Sequence, residues 1–188
     1  YIMALTKTPI CDFGKKADDF QLKSTNNDII SLNEIKGKNG TLVMFICNHC
    51  PYVKAIIKDL VDDCKSLKKE GINSIAVMSN DTKNYPEDSF ENMINFAKLN
   101  NFGDLHYCID ETQSVAKKYG AVCTPDFFGY NKNLELQYRG RLRELKKLVP
   151  VRNGDSDLYK AMKQISETGK GPEQQTPSAG CSIKWKNN

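Results

Sequence analysis

The sequence predicts an α/β fold on a mixed sheet with an extra N-terminal β-hairpin, and three stretches carry that prediction. Thr41-Leu42-Val43-Met44-Phe45-Ile46 is short, apolar and bounded by Lys38-Asn39-Gly40, the pattern of a buried central strand. Val53, Ile56, Ile57, Leu60, Val61, Cys64 and Leu67 then recur at helical spacing up to Gly71, and Ile72 to Met78 is again an apolar, β-branched run. Strand 41–47, helix 51–70 and this second strand compose a right-handed βαβ unit with parallel strands. Later, Phe127 to Tyr130 and Leu134 to Tyr138 flank Asn131-Lys132-Asn133, which predicts an antiparallel hairpin and makes the sheet mixed.

The remaining elements follow in order. Residues 1–16 form an irregular N-terminal extension with Pro9 and Gly14, draped over a single domain of residues 17–170. Phe20, Leu22, Ile29, Ile30 and Leu32 are split by Ser24-Thr25-Asn26-Asn27-Asp28 and predict the front hairpin. Leu32 to Ile35 fits one helical turn, and Ser79 to Glu87 is a polar loop at the carboxyl end of the second parallel strand, where open α/β sheets usually meet ligands. Asp88 or Ser89 can cap a helix whose apolar face is Phe90, Met93, Ile94 and Ala97. Leu105 to Ile109 is a short strand, and Thr112 to Tyr119 a helix stopped by Gly120. The last helix runs from Ser156 to Thr168, and residues 171–188 are expected to be a flexible, Gly/Pro-rich tail ending in Cys181-Ser182-Ile183-Lys184-Trp185.

At 188 residues the chain can bury a full core as one domain. A net charge of +4 is mild, and the basic run Arg139, Arg141, Arg143, Lys146, Lys147 is broken by Glu144 and carries no interleaved aromatics. It is read as a solvated face, so no nucleic-acid partner is expected. Seven cysteines is an odd count, and most lie inside patterned strands and helices, which favours reduced thiols over an extracellular disulfide framework. No segment has the length or apolarity of a membrane-spanning helix, and residues 1–16 carry no signal-peptide core, so no membrane partner and a cytoplasmic location are the expectation. A trimmed leader stays open, because Tyr1 and Ile2 precede Met3.

The chemistry concentrates in Cys47-Asn48-His49-Cys50-Pro51, a C-x-x-C pair where the central strand gives way to the long helix. Pro51 suits a first helical turn, where its missing N–H costs nothing, so Cys47 is placed at or just before the helix N-terminus, whose free N–H groups and dipole favour a thiolate. Cys50, about one turn on, can then close a reversible disulfide as the shielded resolving sulfur. His49 should add a second push on Cys47 and lower its pKa further. Zinc would need two more ligands at suitable spacing, and no second C-x-x-C or H-x-x-x-H exists, so no metal is expected. His106 is the one candidate for a distal metal-binding histidine, and its place near a strand start favours a structural role.

C-x-x-C between a strand and a long helix, together with Val122-Cys123-Thr124-Pro125 and the apolar Phe127-Phe128, resembles the thioredoxin superfamily. Cys-Pro straight after the pair and the early hairpin bring residues 15–170 closest to its TlpA-like and AhpC/TSA redoxin branch. The resemblance implies a thioredoxin-like three-layer α/β/α sandwich. It also implies a cis bond before Pro125 and a role for Thr124 and Pro125 in pairing with a bound substrate segment. The Trp-Cys-Gly-Pro-Cys of ordinary thioredoxins is absent, so substrate and redox poise are not implied.

The expected activity is thiol–disulfide exchange with a protein or small-thiol partner, Cys47 attacking and Cys50 resolving, without a bound cofactor and with an electron donor that the sequence does not name. The enzymatic alternative is a peroxiredoxin-like thiol peroxidase acting on peroxide. Those enzymes align the active cysteine with a Thr three residues earlier, and here Cys47 stands in that place before Cys50. A redox-sensing or metal-carrying binding module is the non-enzymatic alternative. Cys64 and Cys108 are read as small core residues, Cys123 and Cys181 as candidate accessory thiols, and Cys11 with Cys181 as a possible cross-link between the termini.

Overall fold

The computed structural model describes residues 5–187, so the first four residues of the expected extension lie outside it. In chain order the elements are β1 (Leu5–Lys7), β2 (Gln21–Ser24), β3 (Ile29–Ser31), α1 (Leu32–Ile35), β4 (Gly40–Phe45), α2 (Pro51–Lys69), β5 (Ile72–Met78), α3 (Phe90–Leu99) and β6 (His106–Ile109). They continue with α4 (Ser114–Tyr119), β7 (Cys123–Thr124), β8 (Asp126–Tyr130), β9 (Leu136–Tyr138), β10 (Leu145–Lys146), β11 (Val149–Pro150), α5 (Asp157–Thr168) and β12 (Ala179–Ser182).

The main sheet has seven strands in the order β3-β2-β6-β5-β4-β8-β9. β4 pairs parallel with β5 and β5 with β6, whereas β8 joins β4 antiparallel. The front hairpin β2–β3 extends the sheet through β6. β4 is buried along its whole length because both of its faces are covered. Its alternation sends Leu42 and Met44 into a cluster with α2 and α5, and Val43 and Phe45 into a second cluster with Tyr119 of α4. That is the expected mixed α/β architecture with helices on both faces.

Helix boundaries follow local chemistry. Ser89 and Ser156 cap α3 and α5 through their side chains, and Gly120 and Gly169 end α4 and α5 with φ of 73° and 75°. Leu134 adopts φ 59° in the turn, so β9 starts at Leu136, two residues later than expected.

Two expectations change. The tail is ordered: β12 lies between β1 and β7 in a three-stranded antiparallel sheet, with Cys181 opposite Thr124. Its polar composition suggested flexibility, but backbone pairing on both sides and burial of Cys181 and Ile183 fix it. The basic run is not a uniformly solvated face either. Arg139 is buried on Asp126, 2.9 Å from its carboxylate, and lies over the Phe128 ring. Arg143 reaches Asp59 of α2 at 3.1 Å.

Candidate active site

β4 delivers the chain to Cys47, and α2 begins at Pro51. A residue before proline is pushed out of the helical region, so Cys50, with φ −71° and ψ 124°, becomes the N-cap. Cys47 stands three residues outside the helix, contrary to its expected placement at the helix mouth. Neither sulfur of the pair is exposed, Cys47 being 1% and Cys50 0% accessible.

Facing the pair is β7 with the Thr124–Pro125 peptide bond, which is cis as expected. Asp126 of β8, the next residue, accepts from Val122 N and is clamped by Arg139, which also donates to the Gly120 carbonyl. This buried network fixes the loop beside the sulfurs. The Thr124 hydroxyl lies 3.5 Å from Cys47 Sγ. Protonated Cys50 can donate to the Thr124 carbonyl oxygen at 3.3 Å. Cys181 Sγ sits 2.7 Å from Cys50 Sγ, which adds a third thiol to the two of the motif.

These contacts reverse the expected ionisation. Hydrogen bonds from Cys181 and Cys47 hold the Cys50 thiol well below its ordinary range against the opposing effect of burial. Although Cys50 makes no regular side-chain capping bond, the Val53 N–H at the start of α2 also favours the anion. Cys47 is held well above the ordinary range by its hydrogen bond to Cys50, by burial and by the nearby Asp88 carboxylate. Cys181 is likewise pushed up, first by its hydrogen bond to Cys50. These contacts favour the anion at Cys50 over Cys47 and Cys181.

His49 pairs with Asp88, and one of its ring nitrogens lies within 4.8 Å of Cys47 Sγ. Its Nδ1 lies 2.6 Å from Asp88 Oδ2, and its ring stacks on Tyr85 at 6.0 Å and 11°. The hydrogen bond to Asp88 raises the His49 pKa, burial opposes this, and the negative charge of Cys50 adds to the rise. Asp88 is fully buried and also accepts from Asn48 N at 2.8 Å and Asn80 Nδ2 at 2.9 Å. The Asn48 side chain in turn accepts from the Tyr107 hydroxyl at 2.7 Å. Asp88 was read from the sequence only as a possible helix cap, and no local pattern marks it as the residue that fixes His49.

Cys47, His49 and Asp88 bring their ligand atoms within 4.8 Å of one another, a spacing that a metal ion could use. Asp88 accepts hydrogen bonds from Asn48 N and Asn80 Nδ2, while His49 Nδ1, 2.6 Å from Asp88 Oδ2, has no hydrogen-bond partner of regular geometry. His106 lies elsewhere, in β6 beside the cavity that Cys64 lines.

The other sulfurs separate by environment. Cys123 donates to the Pro125 carbonyl oxygen at 3.5 Å, not to the pair, and burial pushes its pKa up. Burial raises Cys64 and Cys108 to about 12 and Cys11 to about 11. Cys11 packs against the core cluster on the α4 side, whereas Cys181 belongs to the α2 side. Cys181 contacts Cys50, with the two sulfurs 2.7 Å apart.

Fold and site together define a thioredoxin-fold protein with paired thiols suited to redox chemistry. Within that class the chain belongs to the AhpC/TSA family, which it matches over residues 13–144. It is similar over nearly its whole length to an uncharacterised conserved protein from Geobacillus kaustophilus, with 37% identity, 99% and 98% of the two chains covered and a TM-score of 0.92. A hypothetical protein from Sinorhizobium meliloti 1021 is similar at 34% identity, 97% and 98% coverage and a TM-score of 0.87. Peroxidoxin BcpB from Mycobacterium tuberculosis shares the fold at 14% identity, 66% and 81% coverage and a TM-score of 0.55. No curated protein matches the chain. Among the described residues no helix is long and apolar enough to cross a membrane.

Proposed function

We propose that the protein is a thiol–disulfide oxidoreductase in which Cys50 attacks and Cys47 resolves, the reverse of the order expected from the motif. The observation that carries this is the position of Cys50 at the α2 N-cap, 2.7 Å from Cys181 Sγ and beside Thr124 and Pro125. The Cys50 thiolate displaces one sulfur of a substrate disulfide, forming a mixed disulfide and releasing one thiolate. Cys47 then attacks Cys50 Sγ, releases the second substrate thiol and leaves the Cys47–Cys50 disulfide. An external dithiol or thiol pair returns two electrons. No bound cofactor enters this cycle, and a cytoplasmic setting that keeps thiols reduced suits it.

A thiol peroxidase is the second reading, favoured by the charge lying on the second cysteine of the pair, the position used by peroxiredoxins. Against it, Cys47 replaces the aligning Thr. The test is release of the first thiol from a small reporter disulfide, measured beside peroxide consumption with dithiothreitol as donor. Cys47→Ser is expected to release that thiol and Cys50→Ser to release none. The opposite pattern overturns the assignment, and peroxide turnover that survives only in Cys47→Ser, without disulfide reduction, selects the peroxidase.

A further inference from the structure

The edge of β7 beside the cis step is already occupied by the chain itself. β12 pairs antiparallel with it, placing Cys181 opposite Thr124 and Ser182 opposite Cys123. The fit is tight. A Cβ on Gly180 would lie 2.0 Å from the Thr124 carbonyl oxygen and 3.1 Å from Pro125 Cδ, so only glycine lets the strand come this close. Both flanks are tied down: Ser178 Oγ donates to the Pro125 carbonyl oxygen at 2.6 Å, and Lys184 N donates to Asn80 Oδ1 at 2.8 Å. β1 closes the outer side of the strand. The result is a cysteine presented in extended conformation, its sulfur 2.7 Å from Cys50 Sγ.

We propose that β12 is a built-in substrate and that Cys181 is a third redox-active residue, forming a disulfide with Cys50 during the cycle. The inference rests on the reading of Cys50 as the attacking thiolate. With a low-molecular-weight disulfide RSSR as oxidant, Cys50 displaces RS⁻ and becomes Cys50–S–S–R. The Cys181 thiol then attacks Cys50 Sγ, its proton goes to the departing sulfur, and the products are RSH and the Cys50–Cys181 disulfide. Two electrons have passed from the protein to RSSR. Cys47 can next attack Cys50 Sγ, giving Cys47–Cys50 and a free Cys181 thiol with no net redox change. An external extended segment must compete with β12 for the same strand edge.

Oxidised glutathione, with Cys47→Ser to silence the motif partner, tests this by alkylation and peptide mapping. Cys47→Ser is expected to yield the Cys50–Cys181 disulfide with no glutathione kept on Cys50. Cys47→Ser/Cys181→Ser should retain glutathione on Cys50. Adding Gly180→Val to Cys47→Ser should lower the ratio of internal disulfide to retained glutathione by about 10²-fold, because the held strand loses its effective-concentration advantage. Glutathione retained on Cys50 in Cys47→Ser, with Cys181 still alkylated, overturns the role of Cys181 while leaving Cys50 as the attacker. If Cys50 takes up glutathione in neither the Cys47→Ser nor the Cys47→Ser/Cys181→Ser variant, the underlying reading fails and the inference with it.

Discussion

Two ends of the sheet each bury cysteine, and they treat it in opposite ways. At the carboxyl end of β4, Cys50 meets a helix N-terminus and the thiols of Cys181 and Cys47, and its pKa falls. At the far end Cys64 lines a cavity of about 480 Å³ with Lys65, Lys68 and His106, yet burial drives its pKa up to about 12. The groove beside Pro125 and Tyr52 is smaller, about 260 Å³. Cavity size therefore does not predict which way a thiol pKa moves. Hydrogen-bond donors aimed at the sulfur do, because they stabilise the anion that burial alone penalises.

The contrast can be broken most sharply by ultraviolet thiolate absorbance across pH. Cys50→Ser is expected to remove the thiolate signal present at neutral pH, and Cys64→Ser to leave it intact. A neutral-pH signal that disappears in Cys64→Ser instead would invert the comparison.

A smaller effect is expected at the ion pair beside the reactive end. Because the folded pKa of His49 is raised, its contribution to stability is fully present below the unfolded-state value of 6.5 and is lost as pH rises through the folded value. Denaturant unfolding should show His49→Gln destabilised at the acid side by on the order of 1 kcal/mol, with the difference shrinking above that window. A destabilisation independent of pH would separate His49 from Asp88.

The smallest effect belongs to the far end. Cys64→Ala removes a sulfur already facing a cavity, so a stability loss of about 1 kcal/mol and unchanged disulfide exchange are expected from urea titration and turnover. A several-fold drop in turnover would show that the two ends communicate.

Much of the fold is legible locally. β5 begins and ends where the apolar run does, at Ile72 and Met78, and Ser89 and Ser156 mark their helices by ordinary capping chemistry. The N-cap at Cys50 is legible too, since Pro51 restricts the residue before it and so keeps the helix from starting at Cys47. The β12 strand was not legible. Ala179-Gly180-Cys181-Ser182 has no strand-like alternation, and its pairing depends on β1 and β7, far away in sequence.

From its residues alone the chain determined a central strand, a long amphipathic helix and a sulfur pair between them, because these depend on neighbours within a few positions. Only the tertiary structure decided which donors and charges face each sulfur. Cys50 and Cys181 are 131 residues apart, and Asp88 reaches Asn48 across 40. A pKa is set by whatever donors and charges folding brings within a few ångströms, and no local pattern encodes them.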